Sequence, residues 1–429
     1  MHISKKNRIF APDFVEGSPT GSPNRRLNAC NPMNTHLSNH NGTATLTLRG
    51  RLDTPAAQEI SAGLEQLLAD AGNAERLVVD ADELAYISST GLRILLMLTK
   101  RYRDFRIVNV HPDVYDVLNM TGFTKIMNVE RALRSLSVDG CEVIGIGGVG
   151  TVYRLNEDTI IKVFRPGTAI EDVRGEVTMA KEAFVMGMPT AISFDIVRVG
   201  EQYGLVYELL HAETLSACIR REPEKIDTFA RQYAELFRQM HQIEVPADSS
   251  VPDAMEHDRQ QVMHIRRYFP QENIDLLMQI LDAIPSGRRL LHLDLQTKNA
   301  MVQHGELMLI DMGEVGYGHP LLDLGHAYSA MVALVGDYEQ IIGMPRALGT
   351  ELWNRAIGYY FEGLPAEVAE LRKRQIEVVG CVRNFSWLAL SDSFPEEVVN
   401  ECKALFETRV AARRDYILDV CKTFKEWTL

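Results

Sequence analysis

Two short runs in the second half of the chain hold the residues best suited to chemistry. His292-Leu293-Asp294-Leu295-Gln296-Thr297-Lys298-Asn299 has the pattern H-x-D-x-x-x-x-N, and Leu309-Ile310-Asp311-Met312-Gly313 follows after a short gap. An aspartate, an asparagine and a second aspartate in this order can orient a hydroxyl and hold Mg²⁺ against phosphate oxygens. Two features upstream complete the set. Gly145-Ile146-Gly147-Gly148-Val149-Gly150-Thr151-Val152 reads G-x-G-x-x-G-x-V, and Lys162 sits inside the apolar run Thr159–Phe164. Glycine lets backbone approach a phosphate closely, and a lysine supplies a point charge to it. Phosphoryl transfer asks for little beyond positioning and charge neutralisation, so these few groups suffice.

The flanking sequence says which elements must carry them. A dinucleotide-binding glycine loop passes from a strand into a helix. Here Thr151-Val152-Tyr153-Arg154-Leu155 is β-branched and aromatic, so the glycines join two strands. Asn156-Glu157-Asp158 makes a turn, and Thr159–Phe164 becomes a third strand. Val173–Met186 reads as a helix that offers Glu176 as the partner of Lys162, with Glu182 as the alternative. Ile192–Val199 and Tyr203–Leu210 read as two further strands, the second ending in a hinge, Val206–Leu210, where backbone groups around Glu208 and Leu210 would read an adenine. Helical periodicity is predicted over Ile226–Gln242, Arg259–Phe269 and Ile274–Ile284, and again over Leu352–Phe361, Val368–Val379, Val398–Phe406 and Val410–Phe424.

A hairpin over phosphates, a lysine on the next strand and the two acidic runs make the arrangement of a protein-kinase-like fold. Within it, residues 141–429 resemble the aminoglycoside phosphotransferase-like kinases, which include choline and homoserine kinases. No arginine precedes Asp294, and no long activation segment follows Asp311. Gly318-His319-Pro320-Leu321-Leu322-Asp323-Leu324-Gly325 is similar to the family's "D-P-x-x-D-L" run, with Asp323 expected to cap the next helix. The resemblance implies an N-lobe over 141–210, a helical C-lobe over 211–429, ATP and Mg²⁺ as cofactors, and a small-molecule hydroxyl as acceptor. It makes Asp294 the catalytic base, Asn299 and Asp311 the metal ligands, and Gly145, Gly147, Gly150, Val152, Lys162, Glu176, Glu208 and Leu210 the nucleotide site. Two departures stand out. Leu293 occupies a position where the family usually has glycine, and Met312 replaces a common phenylalanine. Asp253, Glu256 and Asp337, in the region that forms the acceptor pocket in such kinases, read as ordinary surface acids.

Ahead of this lies a separate α/β unit. Thr43–Arg49 alternates as a strand, and Gly50–Asp53 is a turn. Thr54-Pro55 reads as an N-cap and first helical residue, leading to Ile60, Leu64, Leu67 and Leu68 at helical spacing. Leu77–Asp80 is a short buried strand, Thr90–Leu98 a helix, Phe105–Val110 a strand and Val114–Met120 a short helix. Over residues 43–137 the unit resembles the STAS domain of bacterial anti-sigma-factor antagonists. The resemblance rests on Gly50-Arg51-Leu52-Asp53, Tyr86-Ile87-Ser88-Ser89-Thr90-Gly91-Leu92 and Leu118-Asn119-Met120-Thr121-Gly122-Phe123. It makes Ser89 the regulatory phosphosite, although Ser88 stands where the family often has aspartate; the competing reading is that one of the two serines only caps the helix.

A chain of 429 residues is long for one core, and its fold class reads as an α/β domain followed by an α+β bilobal kinase-like domain. The formal net charge of −13 argues against broad nucleic-acid binding, which needs a basic face. Neither a signal-peptide apolar stretch nor an uncharged run of membrane-spanning length is present, so no membrane association is expected. The six cysteines show no C-x-x-C pair or metal-ligand spacing, which suggests reduced thiols and a cytoplasmic location. Residues 1–33, rich in Asn, Pro, Ser and Gly, read as a disordered tail, with Met33 an alternative start. Two function classes fit: a small-molecule kinase with a STAS regulatory module, or a signalling protein. The second would phosphorylate a protein, Ser89 of its own chain among the candidates, or act as a nucleotide-binding switch.

Overall fold

The computed structural model describes residues 33–40, 42–70, 74–334, 336–390 and 395–427. The tail expected over residues 1–33 lies outside them except for Met33. The chain divides into two compact units, the first ending at Leu133 and the second beginning at Arg134.

The first unit is a five-stranded sheet in sequence order: β1 (Asn34–His40), β2 (Thr43–Leu52), β3 (Arg76–Ile87), β4 (Asp104–Val110) and β5 (Asn128–Arg131). Strand β1 is antiparallel to β2, and the remaining pairs are parallel. Crossovers between parallel strands require helices, and α1 (Thr54–Asp70), α2 (Ser89–Arg101) and α3 (Pro112–Met120) supply them. Ala44, Leu46, Leu48, Leu77, Val79 and Ile107 from the sheet pack with Leu64, Leu95, Leu98 and Leu118 from the helices. Three expectations need correction. Among the described residues the first strand begins at Asn34, ahead of Thr43; NTHLSNH holds a single large apolar side chain, Leu37, which packs against the core, so no alternation marks the strand. Gly50–Leu52 continues β2 and is not a turn. The cap of α1 is Asp53, whose Oδ1 accepts the N–H of Ala56 at 3.1 Å, so Thr54 is the first helical residue.

The second unit opens on β6 (Arg134–Ser135), which pairs in parallel with β10 (Ser193–Val199). Ala132 still donates its N–H to Val110 of the first sheet at 2.9 Å, so Leu133 alone separates the last bond of one sheet from the first pairing of the next. Arg134 also donates to Asp195 at 2.9 Å, and Leu136 and Val138 cover the core formed by Ile161, Val163, Val197 and Val206. The sheet is completed by β7 (Glu142–Ile146), β8 (Gly150–Arg154), β9 (Thr159–Phe164) and β11 (Gln202–Glu208), in the order β6-β10-β11-β9-β8-β7. Helix α4 (Ile170–Val185) packs on this sheet.

The rest is mainly helical: α5 (Leu215–Arg221), α6 (Ile226–Gln242), α7 (Ala254–His264), α8 (Gln271–Ala283), α9 (Pro320–Tyr328), α10 (Tyr338–Ile342), α11 (Arg346–Tyr360), α12 (Ala366–Ser386), α13 (Glu396–Arg409) and α14 (Arg414–Cys421). Short strands interrupt it. β12 (Glu213–Thr214), β14 (Ala300–Gln303) and β15 (Glu306–Leu309) form one small sheet, and β13 (Arg289–Leu291) pairs with β16 (Gly316–Gly318). Asp294 and Asn299 lie on the loop from β13 to β14, and Asp311 follows β15, so two short sheets bring the two acidic runs to one place. Among the described residues no helix is long and apolar enough to cross a membrane.

Candidate active site

Lys162 lies on β9, opposite Val152 of β8 and Leu205 of β11. Its Nζ is 2.9 Å from both carboxylate oxygens of Glu176 on α4, and 2.9 Å from Oδ1 of Asp311. Tyr207 on β11 donates its hydroxyl to the same Glu176 at 3.0 Å, a member of the cluster that sequence reasoning missed. Glu182, two turns away, takes hydrogen bonds from Ser249 and Ser250 instead. Burial alone would discharge Lys162, whose side chain is 12% exposed, but Glu176 and Asp311 outweigh it and its pKa is raised. The ammonium is therefore held charged in a nearly dry site.

The glycine hairpin shows two different demands. A Cβ on Gly150 would sit 2.3 Å from the carbonyl of Val163, so the pairing of β8 with β9 itself forbids a side chain there. At Gly145 and Gly147 a Cβ would meet only ordinary contacts at 3.7 Å. The chain's own packing does not explain these two glycines, whereas close approach of a phosphate would. At the far end of β11, Glu208 is paired with Thr159, the N–H of Leu209 donates to Asp158, and Leu210 follows.

The loop that carries Asp294 is held from several directions. His292 accepts the N–H of Asp294 at Nδ1 (3.4 Å) and turns Nε2 to the carbonyl of Ile310 (3.3 Å), tying this loop to the residue before Asp311. Asn299 donates Nδ2 to both the carbonyl and Oδ2 of Asp294 at 2.8 Å, which leaves its own Oδ1 directed elsewhere. Asp311 likewise commits Oδ1 to Lys162 and keeps Oδ2. Among the described residues no three His, Cys, Asp or Glu side chains are grouped to hold a metal by themselves. The donor set of one amide oxygen and one carboxylate fits a hard cation that takes its remaining ligands from phosphate and water.

Backbone strain concentrates here. Leu293 has φ +63° and Asp311 φ +60°, two of four non-glycine residues with positive φ among the described residues. Aspartate tolerates that region; a leucine there costs about 1–2 kcal/mol. Asp323 offsets part of this. It lies inside α9, and does not cap it; His319 does, accepting the N–H of Leu321 at 3.1 Å. Fully buried, Asp323 accepts the N–H of Leu293 at 2.7 Å, the N–H of His292 at 3.2 Å and Nε2 of His241 at 3.0 Å. These donors hold its carboxyl below the usual range even though burial alone would raise it.

Burial pushes the Asp294 carboxyl up to about 6, against the opposing pull of the Arg383 guanidinium on α12. Arg383 donates to Gln261 at 3.0 Å, and Gln261 meets Nε2 of His257 at 2.7 Å, which in turn lies 3.2 Å from Glu314. Sequence reasoning missed this group, since nothing local to α7 or α12 marks those residues; Glu314, three residues after Asp311, was the one visible pointer. Asp253 and Asp337 are helix caps, and Glu256 accepts from Gln260 on the surface.

In the first unit, Ser88 is the N-cap of α2, its hydroxyl accepting the N–H of Gly91 at 3.2 Å. Ser89 is the first helical residue and is exposed. Arg51 stacks on Tyr86 nearby on the paired strands β2 and β3, 4.2 Å from the ring centroid.

Residues 141–359 match the phosphotransferase enzyme family, and residues 34–136 match the STAS domain. Among solved structures, a choline/ethanolamine kinase family protein from Mesorhizobium loti is 16% identical over 66% of this chain and 92% of its own, with a TM-score of 0.45. The ADP-bound aminoglycoside phosphotransferase APH(2'')-Ib is 14% identical over 71% and 98%, at 0.43. A choline kinase from Cryptosporidium parvum Iowa II is 12% identical over 66% and 92%, at 0.42. Among curated proteins none matches the chain in sequence.

Proposed function

The chain belongs to the phosphotransferase enzyme family and carries a STAS domain ahead of its catalytic unit, and we propose that it moves the γ-phosphoryl group of ATP to a hydroxyl of a small molecule. The observation that carries this reading is the meeting of Lys162, Glu176 and Asp311 within 2.9 Å, on three separate elements, beside a loop that presents Asp294. In this reading each residue has a task. The hairpin backbone at Gly145, Gly147 and Gly150, with Val152 beneath, covers the phosphates, and backbone at Glu208 and Leu210 reads the adenine. Lys162, fixed by Glu176, presents its charge to the α/β-phosphates. Asn299 and Asp311 would hold Mg²⁺, which when bound neutralises charge on the phosphates. Asp294, half-buried and held by Asn299, takes the proton of the attacking hydroxyl.

For the regulatory unit, the separation of roles at α2 supports Ser89 as a modification site: Ser88 already caps the helix, which leaves Ser89 exposed and uncommitted. A phosphate there would add about −1.5 to −2 charges at the positive end of a helix. In the second reading, which rests on this same observation, the kinase fold phosphorylates a protein, Ser89 being one target. One experiment separates the two. ATP consumption is screened across amino alcohols, sugars and aminoglycosides, and intact mass is measured afterwards. Turnover with an acceptor and an unmodified chain supports the first; phosphate on the chain, absent in Asp294→Asn, supports the second. No Mg²⁺-dependent ATP binding by thermal shift would defeat both.

A further inference from the structure

The carbonyl side of Leu293 carries a device the reading above does not use. Leu293 is 2% exposed, with its side chain in the core close to Gly316, so the residue cannot swing out to relieve its left-handed backbone. Its N–H is taken by Asp323. Its carbonyl, the one that begins the Leu293–Asp294 peptide, accepts Nδ1–H of His326 at 2.9 Å. The other nitrogen of His326 meets Oδ2 of Asp258 at 2.9 Å. Asp258 is fully buried on α7 and His326 is 4% exposed on α9. The second oxygen of Asp258 is buried with no partner, so this carboxylate is dedicated to the imidazole. Since a carbonyl can only accept, Nδ1 of His326 carries a proton, and the contact between Nε2 and the Asp258 carboxyl holds a second proton between ring and carboxyl; that bond fixes the ring's orientation.

We propose that Asp258 and His326 are positioning residues for Asp294: they clamp the Leu293–Asp294 peptide in the left-handed turn that a glycine would adopt unaided. Residues of this pair stand far apart in sequence, and each would otherwise bury a polar group without reward. The clamp takes the place, in this chain, of the backbone freedom lost when leucine stands at position 293. The proposal rests on the reading of Asp294 as the group that handles the acceptor hydroxyl.

The test uses the full chain with Asp258→Ala, which removes every partner of Nε2, and with Asp258→Leu combined with His326→Leu, which leaves no charge buried alone. Two readouts are taken: peptide-level hydrogen exchange across residues 290–299, and hydrolysis of MgATP with water as acceptor. The amides of Leu293, Asp294 and Gln296 should exchange about tenfold faster or more, because each depends on the loop's conformation. The kcat for hydrolysis should fall roughly 10- to 100-fold, as expected for a misplaced catalytic group, while KM for ATP stays within about twofold. Adding Leu293→Gly, which takes the same backbone conformation without strain, should shrink that rate loss to about threefold. Unchanged loop exchange overturns the proposal, as does an equal rate loss with and without Leu293→Gly. Should the double variant fail to fold, Asp258→Ala decides by exchange. Full hydrolysis in Asp294→Asn would overturn the role of Asp294 instead, and the clamp would then stand or fall on loop exchange alone.

Discussion

The start of α2 and the loop of Asp294 each present one side-chain oxygen from the end of a strand, and they do so by opposite means. At α2 every device is local. Ser88 caps the helix through Gly91, three residues on, and Ser89 is delivered to the surface by the helix itself. At Asp294 the loop is strained, and it is held by Asp323 on α9, itself fixed by His241 on α6, and by the Asp258–His326 pair from α7 and α9. A local device tolerates loss of one member. A convergent one stores its cost in groups that have no alternative partner.

The largest expected effect is at Asp294. Asp294→Asn should cost roughly 10²–10⁴-fold in turnover and leave ATP affinity intact, measured by steady-state kinetics and nucleotide titration. Since only the carboxylate accepts a proton, turnover of the intact chain should rise with pH through about 6 and be lost below it. Arg383→Gln removes a charge that favours the carboxylate, so this limb should move to higher pH. The raised carboxyl also means that ionising Asp294 works against the folded state at neutral pH, so Asp294→Asn should not lower the melting temperature.

Next comes Asp323→Ala. It would strand His241 and the N–H groups of His292 and Leu293 in a dry interior, at a cost of roughly 3–5 kcal/mol by urea unfolding. A loss below about 1 kcal/mol would erase the contrast drawn between the two sites. Ser88→Ala should cost about 1 kcal/mol, read as faster exchange at the start of α2, with MgATP hydrolysis unchanged. The smallest effect is expected from Ser89→Asp. An acid at the first helical position should stabilise the STAS domain by only about 0.3–1 kcal/mol in a thermal melt.

What the sequence disclosed follows the same division. The glycine hairpin, the lysine strand and the two acidic runs are contiguous patterns, and each is set by residues within a few positions of one another. Strand β1 is invisible because its seven residues hold one large apolar side chain, Leu37, and so show no alternation. The sequence marks only four residues of the long β3, because a continuous apolar run stops at Asp80, although Ala81, Leu84 and Ile87 still face the core. Asp323 was legible as important, but its task was not: a buried carboxylate serving a loop some thirty residues upstream looks, in one dimension, like a helix cap. Leu293 was visible as a departure, while its compensation in Asp258 and His326 was not, because nothing in a helical heptad marks one acid as buried.

The placement of β6 has a practical bearing on how this protein can be cut. The family match begins at residue 141, which invites truncation there. Such a fragment would lack Arg134–Val138, and with them the partner of Asp195 and two apolar covers of the small core around Ile161 and Val197. The bare rim of β10 would then offer unpaired backbone groups to any other copy, a familiar route to clumping on overexpression. A fragment beginning at Leu133 keeps that strand. The catalytic half thus takes a piece of its own wall from the segment matched to its neighbour, and the natural place to part the two is a single residue wide.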